Sequence, residues 1–288
     1  MTINNDSSNL HDDVADNKAN WDDRAKVHAE GGYGDLHVFA QDTSVITPAV
    51  QRDLAILQPH LRDRTIAGKS LIHLQCHIGT DTISWQRLGA SKVHGVDFSP
   101  KSLEYARELA RTAQAPITYV EADARYADTA LPGEHFDCVV TSVGTITWLP
   151  SLEEWGRSIA NLLSPGGIFM IRDNHPLLFA LDENNLAITG DYLSGTEDSY
   201  ESDGSYTPGS AGKVAHTRNH NWAHDFQEIT SSLLNAGLSI EELGEHSEAD
   251  WQALPMLDYD ASSQVWKMPQ GAPRIPLTFS LVARKPLS

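Results

Sequence analysis

Residues 70–97, SLIHLQCHIGTDTISWQRLGASKVHGVD, restrict the fold more tightly than any other stretch: an apolar run, a turn at one glycine, a short helix and a second run ending in a carboxylate. Leu71, Ile72 and Leu74 give a first strand that stops at Gln75-Cys76-His77-Ile78-Gly79. Thr80 or Asp81 can cap the next helix by accepting a hydrogen bond from a free backbone N–H, and Ile83, Trp85 and Leu88 carry it to Gly89. A second strand over residues 92–96 delivers Asp97, eighteen residues after Gly79. In a βαβ unit that spacing sets a carboxylate opposite a ribose diol, so Asp97 is the leading ribose ligand. A dinucleotide pyrophosphate needs bare backbone at the helix start, supplied by three glycines in G-x-G-x-x-G spacing. Only Gly79 is present, and Gln75 and His77 stand where side chains would crowd a pyrophosphate. A phosphate-free nucleoside that meets the turn through sugar and amino acid tolerates them, and S-adenosylmethionine is such a ligand.

From residue 70 strand and helix alternate, the pattern of a parallel sheet covered on both faces. Ser99-Pro100 supplies an N-cap and a first-turn proline for a helix to about residue 113, and residues 117–120 and 136–141 read as the third and fourth strands. Ser151-Leu152-Glu153-Glu154 forms a capping box for a helix to about residue 163, and Pro165-Gly166-Gly167 turns into a strand over 168–171. A helix at 224–236, stopped by Gly237, and strands at 239–243 and 277–283 complete an open, doubly wound α/β sheet.

On these motifs residues 70–175 resemble the core of class I S-adenosylmethionine-dependent methyltransferases, and most closely a bacterial small-molecule subgroup with an LQCHxGxDT turn. The family pattern for the first motif, an acidic residue two before a G-x-G turn, is replaced by His73 and Gln75-x-His77-x-Gly79. The second motif is GVDFS (95–99), the third VEADA (120–124), the fourth FDCVVTSVGTITWLP (136–150), and SPGG (164–167) precedes the fifth strand. The resemblance implies a seven-stranded, mostly parallel Rossmann-like sheet whose last strand is antiparallel. It also implies that Asp123 receives the adenine amino group, with Phe98, Ala124 and Ser142 beside the cofactor and Asp81 in the turn.

Composition limits the partners. At 288 residues with 40% hydrophobic content, one elaborated domain with a substantial core is expected. A net charge of −18 argues against nucleic acid, which needs clustered Lys and Arg to displace counterions. No apolar run approaches the roughly 18 residues of a membrane span, and the polar, acidic first residues lack a signal-peptide pattern, so a soluble cytoplasmic protein is expected. Cys76 and Cys138 lie in or beside strands and suit a reducing compartment. The oligomeric state is not legible.

Three segments fall outside the core: a tail (1–17) expected to be disordered, an N-terminal helical cap (18–64) with a helical run over 45–61, and an insertion at 182–222 within the methyltransferase domain (65–288). Residues 182–212 contain no Lys or Arg, and Tyr192, Tyr200 and Tyr206 point to a partly ordered arm. The WDDR of residues 21–24 is an unusual choice for a tail. In the resembled subgroup a Trp and an Arg of such a cap approach the donor, which would pair Arg24 with its carboxylate and set Trp21 or Tyr33 against the sulfonium by cation–π attraction. An amphipathic helix docking on the core is the alternative.

Gln75 and His77 either pair with buried groups or touch the cofactor, and Gly79 serves the turn in both cases. His175 follows the fifth strand at its carboxyl end, where open α/β sheets place ligands, and is the candidate general base or substrate ligand; a turn histidine is the alternative. Trp148 and Trp222 are candidate acceptor-pocket walls. His216, His220 and His224 recur every four residues, but methyl transfer needs no metal and no further ligand accompanies them, so no metal is expected. The expected function is methyl transfer from S-adenosylmethionine to an oxygen, nitrogen or carboxylate of a small molecule. The competing readings are a sensor of S-adenosylmethionine or its demethylated product, and, disfavoured by the missing glycines, an NAD(P)-dependent oxidoreductase.

Overall fold

The computed structural model describes residues 7–205, 207 and 212–287, with no statement on the side chains of residues 7–9; Tyr206 lies outside this set. The chain opens with helices α1 (Ser7–Val27), α2 (Leu36–Gln41) and α3 (Pro48–Leu57). Next come β1 (Ser70–Leu74), α4 (Thr80–Arg87), β2 (Lys92–Asp97), α5 (Pro100–Thr112), β3 (Ile117–Glu121), α6 (Ala127–Ala130), β4 (Phe136–Ser142), α7 (Glu153–Leu162), β5 (Leu163–Asn174) and α8 (Leu177–Ala180). The remaining elements are β6 (Glu197–Glu201), β7 (Arg218–Trp222), α9 (Phe226–Asn235), β8 (Ser239–His246), β9 (Glu248–Ala249), β10 (Asp258–Asp260), β11 (Val265–Lys267) and β12 (Thr278–Arg284).

Seven strands form one sheet in the order β3-β2-β1-β4-β5-β12-β8, as expected, with only β12 antiparallel to its neighbours. Side chains alternate between two apolar layers, following the period of two. Ile72, Leu74, Val139, Phe169 and Ile171 face Trp155 and Ile159 of α7 and Ile229 and Leu233 of α9. Leu71, Cys138, Val140, Ile168 and Met170 face Val50 and Leu57 of α3 and Trp85 of α4. Covering both faces removes almost all of these side chains from water, at roughly 1.5–3 kcal/mol for each large aliphatic or aromatic group. Ser99 caps α5 by accepting Ser102 N at 3.0 Å, with Pro100 at the first helical position. The strand order reverses between β1 and β4, which opens a crevice at their carboxyl ends.

One expectation needs correction. Residues 7–17 are not a disordered tail but the first half of α1. The polar residues that suggested disorder are contacts: Asn17 is fully buried, donates to His220 O at 2.8 Å and accepts His220 N at 2.9 Å, which adds α1 to the edge of β7. Among the described residues of the insertion, β6 pairs antiparallel with β7. A further feature was not anticipated: between β8 and β12 a small antiparallel sheet, β10-β11-β9, closes over the end of the crevice.

Candidate active site

The turn after β1 keeps a glycine-like backbone with only one glycine. Gln75, His77 and Gly79 all have positive φ, at 55°, 48° and 83°. For the first two this is a strained state that surrounding contacts must hold. Cys76 N donates to Val96 O at 2.9 Å, and His77 N donates to Asp97 Oδ2 at 2.8 Å. Gly79 has no substitute, because a Cβ there would lie 2.5 Å from the Tyr119 hydroxyl and 3.0 Å from Ala106 Cβ.

Asp97 is 6% exposed at the tip of β2, and its other oxygen accepts Ser99 N at 2.9 Å. Burial raises its pKa to about 6 against the lowering effect of these two backbone donors. Gln75 donates to Thr145 O at 2.8 Å, while its buried Oε1 has no partner among the described residues. His77 is held between Ser102 Oγ (2.9 Å from Nδ1) and His28 Nδ1 (2.7 Å from Nε2). Burial keeps both rings neutral: the His77 pKa is driven well below its usual range, and that of His28 down to about 3, with the Arg24 charge adding to each.

These groups open into a cavity of about 730 Å³. Its walls come from four places: Trp21 and Tyr33 from the cap; Gln75, His77, Asp81, Asp97 and Phe98 from the first βαβ unit; Ser142 to Thr145 and Trp148 after β4; and Arg52, Asp250, Tyr259, Gln264 and Trp266 from α3 and the small sheet. Trp21 meets His77 and Trp148 edge-on at 5.0 and 5.3 Å. Asp173, at the end of β5, fixes the loop after β4 by accepting the backbone N–H groups of Gly144, Thr145 and Ile146. Beside this last wall, Arg172 is 3% exposed and bonds Asp53 Oδ1 at 2.6 Å and Asp250 Oδ2, while Arg52 Nε reaches Asp250 Oδ1 at 3.2 Å. The two guanidinium groups hold the Asp250 carboxyl below its usual range despite its burial. Asp81 is pushed up to about 6, mainly by burial, with the Asp53 and Asp250 charges adding to it.

Several residues read from sequence as site members stand elsewhere. Arg24, Asp123, Ala124, His175 and Trp222 do not line the cavity. Arg24 is buried behind Trp21, 5.7 Å from that ring, and donates to Asn20 Oδ1 at 2.5 Å. Asp123 caps the turn that follows it and pairs with Arg125 at 2.6 Å. Ala124 packs into the apolar layer with α7. His175 is a turn histidine: Nδ1 accepts Leu177 N at 3.1 Å, Nε2 meets Glu245 Oε1 at 2.9 Å, and burial lowers its pKa. Trp222 borders a separate small cleft with Pro176 and Phe179. The three regularly spaced histidines do not converge: His216 meets Asp23, His220 meets Asp13, Asp16 and Glu197, and His224 meets Glu228 and Leu149 O.

The cavity wall made by α3 and the small sheet was not read from the sequence, and one signal for the charges beside it was present. Arg172 interrupts the apolar run IFMIRDN, and a charge inside a covered strand requires buried partners. Nothing local marked Asp250, Tyr259 or Trp266.

Residues 72–167 match a family model described as a methyltransferase domain. No curated protein matches the chain. Among solved structures, a protein of Listeria monocytogenes assigned as an S-adenosylmethionine-dependent methyltransferase aligns with a TM-score of 0.58 at 19% identity, over 82% of this chain and 97% of the other. An S-adenosylmethionine-dependent methyltransferase from Mesorhizobium loti aligns at 0.54 and 22% identity, over 80% and 96%. The CcbJ methyltransferase from Streptomyces caelestis aligns at 0.56 and 18%, over 94% and 99%. The fold is the Rossmann-like methyltransferase fold. The domain match covers residues 72–167, and the likeness to these structures extends the shared fold over most of the chain. Among the described residues no helix is long and apolar enough to cross a membrane.

Proposed function

We propose that this chain transfers the methyl group of S-adenosylmethionine to an oxygen, nitrogen or carboxylate of a small organic acceptor by in-line displacement, as a member of the small-molecule subgroup with the LQCHxGxDT turn. The observation that carries the reading is the pairing of one buried carboxylate with one large cavity: Asp97 is oriented by two backbone N–H groups at the tip of β2, and the cavity beside it continues to a second, chemically different wall. The residues present suit the cofactor. Asp97 is placed to accept both ribose hydroxyls, Phe98 to pack on the adenine, and the unpartnered Gln75 Oε1 to accept from the amino group of the methionyl part. A neutral His77 adds no positive charge near a sulfonium, and the Trp21 face can attract one.

The bound cofactor supplies an electrophilic methyl carbon whose leaving group is a neutral thioether. The protein then has to hold the acceptor in line and keep water out. Positioning of this kind can account for roughly 7–11 kcal/mol of the barrier, against about 10²–10⁴-fold for a general base. Tyr33, Trp148, Tyr259 and Trp266 form aromatic walls around the acceptor end, and Asp81 is the cavity carboxylate whose raised pKa suits it to take a proton from an acceptor near neutral pH. Calorimetry with S-adenosylmethionine tests the reading on the wild type and on Asp97→Asn. The wild type is expected to bind with one site and the variant about 100-fold more weakly; absence of binding to the wild type, or equal affinity in the variant, would overturn it.

A further inference from the structure

Away from the cavity, three carboxylates from two distant parts of the chain surround one buried imidazole. His220 on β7 is 1% exposed. Its Nδ1 lies 2.8 Å from Glu197 Oε1 on β6, 2.9 Å from Ser199 Oγ, which itself donates to Glu197 Oε1 at 2.7 Å, and 3.5 Å from Asp13 Oδ1 on α1. Its Nε2 lies 3.2 Å from Asp16 Oδ2, one helical turn further along α1. The donor atoms of Asp13, Glu197 and His220 all fall within 4.8 Å of one another. Two ligand atoms at zinc-bonding distances of about 2.0–2.2 Å in tetrahedral geometry are about 3.4 Å apart, so one ion fits among them after small side-chain adjustments.

We propose that Asp13, Glu197 and His220 Nδ1 bind a single divalent transition ion of the zinc class, which clamps α1 to the β6–β7 arm. Three features favour an ion over a set of surface carboxylates. The nitrogen ligand is an almost fully buried imidazole whose backbone is fixed on both sides by Asn17. The opposite ring nitrogen already faces a carboxylate, Asp16, the arrangement that fixes the tautomer of a metal-bound histidine. The local charge is negative: three carboxylates surround the ring, and Arg218, 3.7 Å from Asp16, is a single basic side chain beside them. A mixed imidazole–carboxylate set selects zinc, cobalt or manganese over calcium or magnesium, which take oxygen ligands. This donor set differs from the three regularly spaced histidines, of which it uses one.

The site lies where an ion would act on the cavity indirectly. α1 carries Trp21 to the cavity, and Ser205 of the arm meets His28 Nε2 at 2.8 Å. The inference does not rest on the methyltransferase reading, since metal binding is measured without turnover.

The test uses the full-length protein stripped with a chelator and titrated with ZnCl₂ by calorimetry and thermal shift, then with CoCl₂ by visible absorption. Saturable binding of one ion, an upward shift in Tm of several degrees and cobalt d–d bands are expected. Glu197→Gln is nearly isosteric and should weaken zinc at least tenfold. Asp16→Asn, which acts through His220, should cost roughly tenfold, whereas His216→Ala in the same segment should bind within twofold of wild type. No saturable zinc or cobalt binding by the wild type, or Glu197→Gln binding as tightly as wild type, would overturn the proposal. Because His220→Ala removes a buried group, the Glu197 and Asp16 variants carry the decision, with circular dichroism confirming that both fold.

Discussion

The two ends of the cavity are built in opposite ways. At the end formed by the first βαβ unit, Asp97 is oriented by the backbone N–H groups of His77 and Ser99, both within twenty residues of it. At the other end, Asp250 is oriented by Arg52 and Arg172, and Arg172 by Asp53, side chains from α3, β5 and the segment after β9. A main-chain site is rigid and tolerant of surface change. A site assembled from long side chains depends on each partner, Arg172 of β5 included.

The largest expected effect tests the ionic end. Arg172→Met leaves Asp53, which is fully buried, without its cation, at a cost of about 3–5 kcal/mol. Tm should fall on the order of 10 °C; a change within the error of differential scanning calorimetry would mean that the charges at this end are dispensable. The main-chain end is sharpened by pH. Asp97 must be ionised to accept from two hydroxyls, and its pKa is raised to about 6, so affinity for S-adenosylmethionine should fall about tenfold from pH 7.5 to pH 5. The sign in the free protein is opposite: a carboxyl raised by burial adds stability below its usual value and loses it as pH climbs through about 6. Asp97→Asn should flatten the binding profile, and a profile equally steep in that variant would assign the titration to Asp81, which is raised to a similar value.

Smaller effects separate the two ends from each other and from their surroundings. Trp266→Ala should leave affinity for S-adenosylhomocysteine within about twofold while lowering kcat/KM for an identified acceptor at least tenfold. Comparable losses in both would merge the ends into one site. His175→Ala should leave the pH–rate profile unchanged, since its ring nitrogens are occupied by Leu177 N and Glu245; a lost limb would return His175 to the chemistry.

The same contrast explains what could be read in advance. The sheet was legible because its strands are long enough for apolar runs and its helices carry caps such as Ser99-Pro100. The setting of Asp97 was legible because the N–H groups that orient it, those of His77 and Ser99, lie within twenty residues, whereas Gln75 and His77 take partners, Thr145 and His28, that only the fold brings near. The strands of the small sheet are two or three residues long, too short for any period to register. Arg52 and Asp250 are paired only by the fold. Asp123 and His175 each sit near a strand end, and each is bonded by a neighbour two residues away, Arg125 and Leu177, a pairing that the sequence did not bring out. Position alone could not distinguish a poised group from an occupied one. The start of α1 was misread because Asp and Asn look like tail residues unless their partners on β7 are known.

Trp21 and Asp22 are adjacent on α1 but serve different masters. The indole meets His77 in the cavity, while the Asp22 carboxylate accepts the Ser99 hydroxyl at 2.6 Å and Lys101 N at 3.3 Å at the start of α5. Seven residues after Trp21, His28 meets the same imidazole, His77. The stretch from 21 to 28 therefore works as a ruler. Deleting or inserting one residue within it would swing everything beyond by about 100°, so that Trp21 and His28 could no longer both reach His77, whereas the loop between α2 and α3 can change length without cost to that alignment.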